Sequence, residues 1–272
     1  PLPICLDLPE LTARSLEVGQ SVALRDPEGF LLGVLHIEDI WPIDKNKECS
    51  LVYGSTDTAH PGVHQLLHEY GDYYVGGSLE VVNLPIHFDF KSLRLSPREI
   101  RQTVAKYEWQ RVVGFQTRDP IHRPQFEMTL KAMRKVRGNL VILPIVGVTR
   151  PGDFDHYTRV RCYRAISRRY PPESYLVNLL PLASHLAGPK EALLHLIIAK
   201  NLGCTDFIVG HDHAGPGLDS NGRWFYEVGS ARKLCEKHAE EIGVAIIPFE
   251  EMVYLPFEDE FREADQVPEG SQ

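Results

Sequence analysis

The chain has 272 residues, of which 43% are hydrophobic and 24% charged, a composition typical of a globular protein with one large or two modest domains. Its formal net charge of −8 argues against non-specific nucleic-acid binding, because a phosphate backbone is held by a basic face. No run approaches the roughly 18 apolar residues of a membrane helix, so we expect neither nucleic acid nor a membrane as a partner.

The ends of the chain and its cysteines bear on location. The start, PLPICLDLPE, lacks the basic residues and apolar core of a secretion signal. Five cysteines are scattered without a CxxC pair, which favours reduced thiols over a disulfide framework. We therefore expect a cytoplasmic protein. The missing initiator methionine and the polar last residues DQVPEGSQ predict that the chain is part of a longer polypeptide.

Residues 1–95 consist of short alternating apolar runs broken by turn residues, a pattern typical of β-structure. The segment DPEG at 26–29 predicts a hairpin turn, with Gly29 free to take a positive φ. A helix is predicted to begin after Ser96, an N-cap followed by Pro97 and, three residues after the cap, by Glu99. We predict a β-rich domain over 1–95.

The pattern changes over residues 96–255. Apolar runs at 112–115, 140–146, 175–181, 207–210 and 244–249 are separated by helical stretches, one of them from Phe225 to Gly243. Near-continuous apolar strands with crossover helices predict a parallel sheet covered on both faces, and hence an α/β domain. Residues 256–272 are predicted to begin a C-terminal subdomain or a linker.

Ligands bind at the carboxyl ends of the strands in an open parallel sheet, and the first polar strand end is FQTRDPIHRPQ at 115–125. We predict that the next helix begins at Pro120 with Asp119 as its N-cap. Donors would then surround free backbone N–H groups and form an anion pocket. These donors are Gln116, Arg118, His122 and Arg123. Taken alone, the same residues are equally compatible with a solvated basic helix start.

The second polar strand end is GHDHAGPG at 210–217, a loop rich in glycine. Such a loop lets backbone N–H groups approach a phosphate or sulfate without interference from Cβ atoms. A metal site on His211 and His213 is the alternative. We disfavour it because no third ligand is evident and Zn²⁺ usually takes at least three protein ligands.

These two segments resemble the motifs of the ATP sulfurylase family. FQTRDPIHRPQ is similar to the family pattern Gln-x-Arg-Asn-Pro-x-His-x-x-His, and GHDHAGPG to Gly-Arg-Asp-His-Ala-Gly-Pro-Gly. The segments GVTRPGDFDHYTRVRCYRA, LPLASHLAGPKEALLH and AKNLGCTDFIVG also resemble the family, in the family order, as do GSTDTAHPGVH and GDYYVGGSLEVVNLP upstream. The resemblance implies a Rossmann-like nucleotidyltransferase domain with a parallel sheet, preceded by a PUA-like domain.

The resemblance also implies an activity, namely the reaction of ATP with sulfate to give adenosine 5′-phosphosulfate and pyrophosphate, or its reverse. Mg²⁺ is expected to travel on the nucleotide, with no tightly bound cofactor and no metal site on the protein. A homo-oligomer and a fused or partner adenylylsulfate kinase are expected as well. A dinucleotide-binding dehydrogenase is disfavoured, because no GxGxxG opens a helix after a strand.

Roles of individual residues carry over from the family motifs to matching positions. Arg118, His122 and Gln125 are expected to be catalytic. Sulfate is expected to be held by Gln116, Arg118 and Ala214. The positions expected to bind the nucleotide are Asp119, His122, Gln125, His211, Asp212, His213 and Gly215.

Three positions depart from the family motifs, and we call them the charge-poor positions: Asp119 stands in place of Asn, Gln125 in place of His and His211 in place of Arg. Each change removes positive charge or donors from the anion pocket, or adds negative charge. Further departures are Leu143, where a His is usual, and Ser184 and His185, where Met and Arg are usual. Two hypotheses follow: a slow sulfate adenylyltransferase, or a domain that has kept its fold, lost catalysis and serves as an oligomerisation or regulatory platform.

Two other clusters have ordinary structural explanations. The spacing of His60, His64 and His68 is compatible with a metal site, but we favour a structural role because residues 60–62 are loop-like. In DHYTRVRCYRA, the residues predicted to face the core are Tyr157, Val160 and Tyr163. Those predicted to form a solvated or salt-bridged face are Arg159, Arg161 and Arg164.

Overall fold

The computed structural model of the protein describes residues 2–147, 153–249, 252–264 and 267. The chain divides into two units, Pro1–Phe90 with Leu218–Phe225, and Lys91–Gly217 with Tyr226–Gln272. The proposed domain bounds of 1–95, 96–255 and 256–272 stay a prediction. Residues 148–152 of the family-like segment GVTRPGDFDHYTRVRCYRA lie outside the described residues.

The first unit is built on a four-stranded antiparallel sheet of order β1-β4-β3-β2. Its elements are β1 (Leu6–Leu8), α1 (Glu10–Ala13), β2 (Ser21–Arg25), β3 (Leu31–Pro42), α2 (Lys45–Val52), α3 (Pro61–His68) and β4 (Tyr73–Val81). Between β2 and β3, Gly29 has φ +93 and the Asp26 carboxylate accepts from the Phe30 N–H at 2.8 Å. The predicted hairpin turn is thus confirmed.

The segment 218–225 belongs to this first unit. The Ser220 hydroxyl donates to Asp57 Oδ1 at 3.0 Å, and the Phe225 ring lies 5.0 Å from the buried ring of His60. His60 also caps α3, because its Nδ1 accepts from the Gly62 N–H at 3.0 Å. The structural role favoured for His60 is therefore confirmed, but the predicted loop at 60–62 is wrong, since α3 begins at Pro61.

The second unit holds a five-stranded parallel sheet of order β7-β6-β5-β8-β9. Its strands are β5 (Val112–Thr117), β6 (Asn139–Pro144), β7 (Tyr175–Val177), β8 (Asp206–Val209) and β9 (Ala245–Pro248). Its helices are α4 (Pro97–Lys106), α5 (Arg123–Val136), α6 (His156–Ser167), α7 (Pro189–Asn201) and α8 (Ser230–Ile242), with a 3₁₀ turn at Lys91–Leu93. The antiparallel pair β10 (Met252–Leu255) and β11 (Glu260–Glu263) follows.

The sheet is buried on both faces, which explains its continuous apolar strands. Val112 belongs to the core cluster that includes residues of α7 and α8, whereas Val113 belongs to the cluster that includes residues of α5 and α6. Because successive side chains point to opposite faces, each strand needs apolar residues on both of its faces. The predicted parallel sheet with helices on both faces is confirmed. No helix in the described ranges is long and apolar enough to cross a membrane.

Helix ends follow local signals. The Ser96 N–H donates to Glu99 Oε2 at 2.7 Å and the Glu99 N–H to Ser96 Oγ at 3.3 Å, so the predicted capping box is confirmed. Gly243 ends α8 with φ +76, as expected, but the helix begins at Ser230 rather than Phe225. The later start follows from Gly229, which has φ +78 directly before the helix.

The order of the strands determines where a ligand fits. β5 and β8 are neighbours in the sheet although β6 and β7 lie between them in sequence. From this pair the chain adds strands outward in opposite directions, so the loops after β5 and β8 leave a crevice between them. Both polar strand ends identified in the sequence lie at this crevice.

Candidate functional site

A cavity of about 540 Å³ opens where β5 and β8 end. The ten residues to which the family motifs assign roles all line it, five from each strand end, whereas Arg123, which was also expected among the donors, pairs with Asp259 and does not line it. The ten lining residues are Gln116, Arg118, Asp119, His122, Gln125, His211, Asp212, His213, Ala214 and Gly215. Arg118 and the Ala214 loop thus face one cavity, as the sequence-based hypothesis requires. Their individual roles stay predictions.

The cavity also has walls that the sequence-based prediction missed. Ser184, Leu186 and His195 line it from α7 and the loop before that helix. An apolar wall comes from Phe115, Pro124, Met128, Ile208, Phe249 and Met252. The spacing of Glu191 and His195, four residues apart on a helix, was the available signal for His195. Leu143 is instead a core residue of β6.

The start of α5 differs from the prediction. The helix begins at Arg123 with His122 at the N-cap and a proline in its first turn, so the predicted start at Pro120 and the N-cap role of Asp119 are wrong. The reason is the irregular turn that follows β5, with bends at 118 and 119. The Thr117 hydroxyl donates to the Asp119 carbonyl at 2.9 Å, and Ile121 buries its side chain. Asp119 is therefore exposed on the rim of the cavity.

Two side chains of α6 hold this turn from behind. Arg159 Nη1 donates to the carbonyls of Arg118 and Ile145 at 3.1 and 3.2 Å, and Tyr163 donates to the carbonyls of Arg118 and Asp119 at 3.1 and 3.0 Å. Desolvation raises the pKa of Tyr163 well above its usual range, so the hydroxyl stays a donor.

The structure corrects two predictions for α6. Arg159 was predicted to be solvated or salt-bridged, but it is 1% exposed, because its guanidinium donates to the Arg118 and Ile145 carbonyls inside the fold. Tyr157 was predicted to face the core, but it is 56% exposed. Val160 and Tyr163 are in the core, as predicted.

Arg118 is held by an ion pair within the site. Its Nη2 lies 3.1 Å from Asp153 Oδ1, and the two side chains are 28% and 9% exposed. A guanidinium carries five N–H donors, so this single contact leaves others for a ligand. Gln116 contributes a further polar group, because its Oε1 is buried and bonds to no atom in the described part of the chain. The amide oxygen and nitrogen exchange by a half-turn, so this group can accept from a ligand or donate to one.

His122 and Gln125 form a pair at the start of α5. Gln125 Oε1 lies 3.0 Å from His122 Nδ1 and 3.4 Å from the His122 N–H. With the amide oxygen assigned there, Nδ1 must carry a proton. Nε2 is then an acceptor in the neutral ring and a donor in the imidazolium. Gln125 thus orients a neighbouring side chain, although it cannot supply the charge of a second histidine.

The loop after β8 has a constrained backbone. Ala214 has φ +58 and its carbonyl accepts from the Gly188 N–H at 3.0 Å. A Cβ on Gly215 would lie 1.9 Å from Asp212 Oδ1, so any other residue there would displace the Asp212 side chain. Desolvation raises the pKa of Asp212, an effect that the charge of His211 opposes. Within the described ranges, the Ala214 N–H donates to no protein acceptor.

A buried polar chain lies behind this loop. Glu191 accepts from the backbone N–H groups of His185 and Ala187 at 3.1 and 2.9 Å. Its Oε1 lies 3.4 Å from His195 Nε2, and His195 Nδ1 lies 3.2 Å from His213 Nε2. Desolvation, with a smaller contribution from the charge of His195, lowers the pKa of His213 to about 3, so its ring is neutral at pH 7.

The charge of the cavity wall is nearly balanced. Among the described lining residues, Arg118 is the only permanent cation, and Asp119 and Asp212 are the carboxylates. Neither at the cavity nor in the rest of the described ranges is a group of three His, Cys, Asp or Glu side chains arranged to hold a metal ion. The site can therefore bind anions through N–H donors and one arginine, but it lacks a strong positive field.

Comparison with known proteins gives consistent matches. The ATP-sulfurylase family model matches residues 91–272, and the model of a PUA-like domain matches residues 1–84. Sulfate adenylyltransferase of Mycosarcoma maydis is 45% identical over 275 residues, covering 100% of this chain and 48% of that protein. The enzyme of the same name from Schizosaccharomyces pombe is 47% identical over 273 residues, covering 100% and 56%.

Among solved structures, the hexameric APS kinase from Thiobacillus denitrificans matches with a TM-score of 0.75 and 28% identity, over 99% of this chain and 45% of that one. The chain spans about half the length of the curated relatives it matches. The predicted order of a PUA-like domain followed by an α/β domain is confirmed.

Proposed function

The chain belongs to the ATP-sulfurylase family, and we propose that it transfers an adenylyl group between ATP and sulfate, forming adenosine 5′-phosphosulfate and pyrophosphate or running in reverse. The observation that carries the proposal is the single cavity at the ends of β5 and β8, which all ten predicted site residues line. A cavity of this size, with apolar and polar walls, suits a nucleotide.

The chemistry needs little from the protein beyond placement. A sulfate oxygen attacks the α-phosphorus of ATP, the bond from that phosphorus to the bridging oxygen breaks, and pyrophosphate leaves. No protein nucleophile takes part. The site must instead hold two anions in line and stabilise the charge that develops on the transferring phosphoryl group.

We assign the sulfate position to Gln116, Arg118 and the Ala214 N–H. Arg118 is fixed by Asp153 and keeps further donors for a ligand. The Ala214 N–H donates to no acceptor in the described part of the chain, and the buried amide of Gln116 has a free end. Together these groups offer N–H donors to an oxyanion from both strand ends.

We assign the nucleotide to the remaining lining residues. His122, oriented by Gln125, would meet the phosphates with Nε2. The apolar wall around Met128 and Phe249 would hold the base. His211, Asp212, His213 and Gly215 would border the phosphates along the loop after β8. Mg²⁺ arrives with ATP as part of the substrate and neutralises much of its charge.

The charge-poor positions set the expected rate. A carboxylate about 4 Å from a phosphate oxygen repels it by roughly 1 to 4 kcal/mol, depending on the effective dielectric. Gln125 and His211 supply less positive charge than the family residues. We therefore expect turnover that is measurable but slow.

The test is ATP formation from adenosine 5′-phosphosulfate and pyrophosphate in the presence of Mg²⁺. We expect a signal above a blank without protein, and its loss on Arg118→Ala. Arg123→Ala is the matched control, because Arg123 bonds Asp259 and does not line the cavity. Activity that is absent in the unmodified protein, or retained in Arg118→Ala, would contradict the proposal.

We further propose a cytoplasmic homo-oligomer that works with an adenylylsulfate kinase domain. The support is the match to a hexameric APS kinase, of which this chain covers 45%. Light scattering after size-exclusion chromatography tests the oligomer. A monomer at all protein concentrations would contradict it.

A further inference from the structure

Glu191 is an ionised carboxylate buried behind an anion site. Its side chain is 1% exposed. Desolvation acts to raise its pKa, but hydrogen bonds and the charge of His195, together with the Ala187 N–H, lower the pKa to about 2. Negative charge at this place opposes anion binding in the cavity. Packing alone does not account for it either, since a buried ion pair is often no more stabilising than apolar residues.

The hydrogen bonds of Glu191 fix the protons along the chain to His213. An ionised carboxylate only accepts, so the His195 Nε2 facing it at 3.4 Å must carry a proton. His195 Nδ1 lies 3.2 Å from His213 Nε2, with one proton between them. A charged His195 donates that proton and leaves His213 as the Nδ1–H tautomer, whereas a neutral His195 accepts it from the Nε2–H tautomer. In either state the contact of Glu191 with His195 restricts His213 to one neutral tautomer.

The same carboxylate holds two loops with unusual backbones. Leu186 and Ala214 have φ of +59 and +58, conformations that L-residues adopt at a cost. Glu191 binds the N–H groups on either side of Leu186. The Gly188 N–H then binds the Ala214 carbonyl at 3.0 Å. Both loops line the cavity, so Glu191 acts on Ala214 through the backbone and through His195 and His213.

We propose that Glu191 is a positioning residue which, through His195 and through the backbone N–H groups on either side of Leu186, holds His213 in a single neutral tautomer and fixes the Ala214 N–H at the cavity wall. This rests on the proposed function only in taking the anion at that N–H to be the sulfate group. Glu191 does not line the cavity, whereas His195 does. In this role both residues set the direction of a donor that meets the anion.

Nuclear magnetic resonance of the histidine rings tests the proton arrangement without any activity. Long-range ¹H–¹⁵N spectra distinguish the two neutral tautomers and the imidazolium. In the unmodified protein at pH 7 we expect His213 as one neutral tautomer. A mixture of tautomers or a doubly protonated His213 would overturn the proposal, and this measurement needs no variant to fold.

Two variants test the connection. Glu191→Gln removes the charge at constant shape, and His195→Phe keeps a ring but removes both nitrogens. Each should shift His213 from a single tautomer and move the Ala214 amide signal. His238→Phe is the matched control, because His238 is also paired with a carboxylate, at 3.1 Å, but on the outside of α8. An unchanged His213 and Ala214 in both test variants would overturn the proposal.

Binding of adenosine 5′-phosphosulfate, measured by calorimetry, gives the functional arm. We expect both variants to bind it about tenfold more weakly, the low end for loss of a hydrogen bond to a charged group. Altered tautomers with unchanged affinity would overturn the positioning role. If the unmodified protein does not bind this ligand, the proposed function fails, and the resonances of His213 and Ala214 still decide whether Glu191 positions the loop.

Discussion

Asp119→Asn isolates the charge of one residue from its structural contacts. The contacts that hold the turn, from Thr117 and Tyr163, go to the Asp119 backbone carbonyl, so the substitution leaves them in place. The side chain lies exposed on the cavity rim. At about 4 Å from a phosphate oxygen, the repulsion ranges from about 1 kcal/mol in water to 4 kcal/mol near a protein surface.

Because the Asp119 side chain is exposed, its repulsion of a phosphate oxygen lies near the lower of these two energies. Removing about 1 to 1.5 kcal/mol of repulsion from the transition state predicts a rise in kcat/KM of about five- to tenfold. The assay is pyrophosphate-dependent ATP formation at low and at high ionic strength. Because salt screens exposed charges, the gain should shrink as ionic strength rises.

A control variant removes one negative charge elsewhere. Glu240 lies on the exposed side of α8 and does not line the cavity, so Glu240→Gln should leave kcat/KM unchanged. A fall in activity for Asp119→Asn, with a higher Mg²⁺ requirement, would refute the electrostatic reasoning. It would mean that the carboxylate attracts the metal of the substrate more than it repels the phosphates.

Three further outcomes are expected. Returning all three charge-poor positions to the family residues should raise activity by orders of magnitude, measured in the same assay, whereas an equal rate would show that the altered site was never limiting. Tyr163→Phe should lower the free energy of unfolding in urea by about 1 to 3 kcal/mol, since it loses donation to the Arg118 and Asp119 carbonyls, while Tyr157→Phe on the same helix, 56% exposed, should change it little. The free energy of unfolding should also fall in acid, because folding lowers the pKa of both His213 and Glu191. The contribution of His213 is complete above pH 6.5 and lost towards about pH 3, and that of Glu191 is complete above pH 4.5 and lost towards about pH 2. A pH-independent free energy of unfolding between 7 and 3 would contradict the burial of both groups.

The sequence was informative where a signal is local or periodic. The parallel strands, the hairpin at Gly29 and the capping box at Ser96 each depend on neighbours within a few positions. The two polar strand ends were also within reach, because strand order in an α/β sheet brings carboxyl ends to one edge. The ten lining residues themselves were predicted from the resemblance of these two ends to the family motifs.

Long-range contacts limited the rest. The burial of Arg159 depends on the carbonyls of Arg118 and Ile145, whose meeting point no local pattern encodes. The start of α5 was missed because two prolines compete, and the burial of Ile121 decides in favour of the second. The row of polar contacts from Glu191 to His213 joins α7 to the loop after β8. Only the first of these contacts, between Glu191 and His195 four residues later, could be predicted from the sequence.

The contacts that hold the loops of the site in place differ from the side chains that determine its charge. The two lining loops are held through their own backbone carbonyls, not through the side chains that face the ligand. The donors to these carbonyls are Arg159, Tyr163 and the Gly188 N–H. Side chains at the charge-poor positions can therefore change while the loops keep their path. It follows that a good match of fold to the family does not by itself set the rate. Under the proposed function we expect the rate to depend on how much positive charge the cavity retains, which is the quantity that the substitutions at these positions vary.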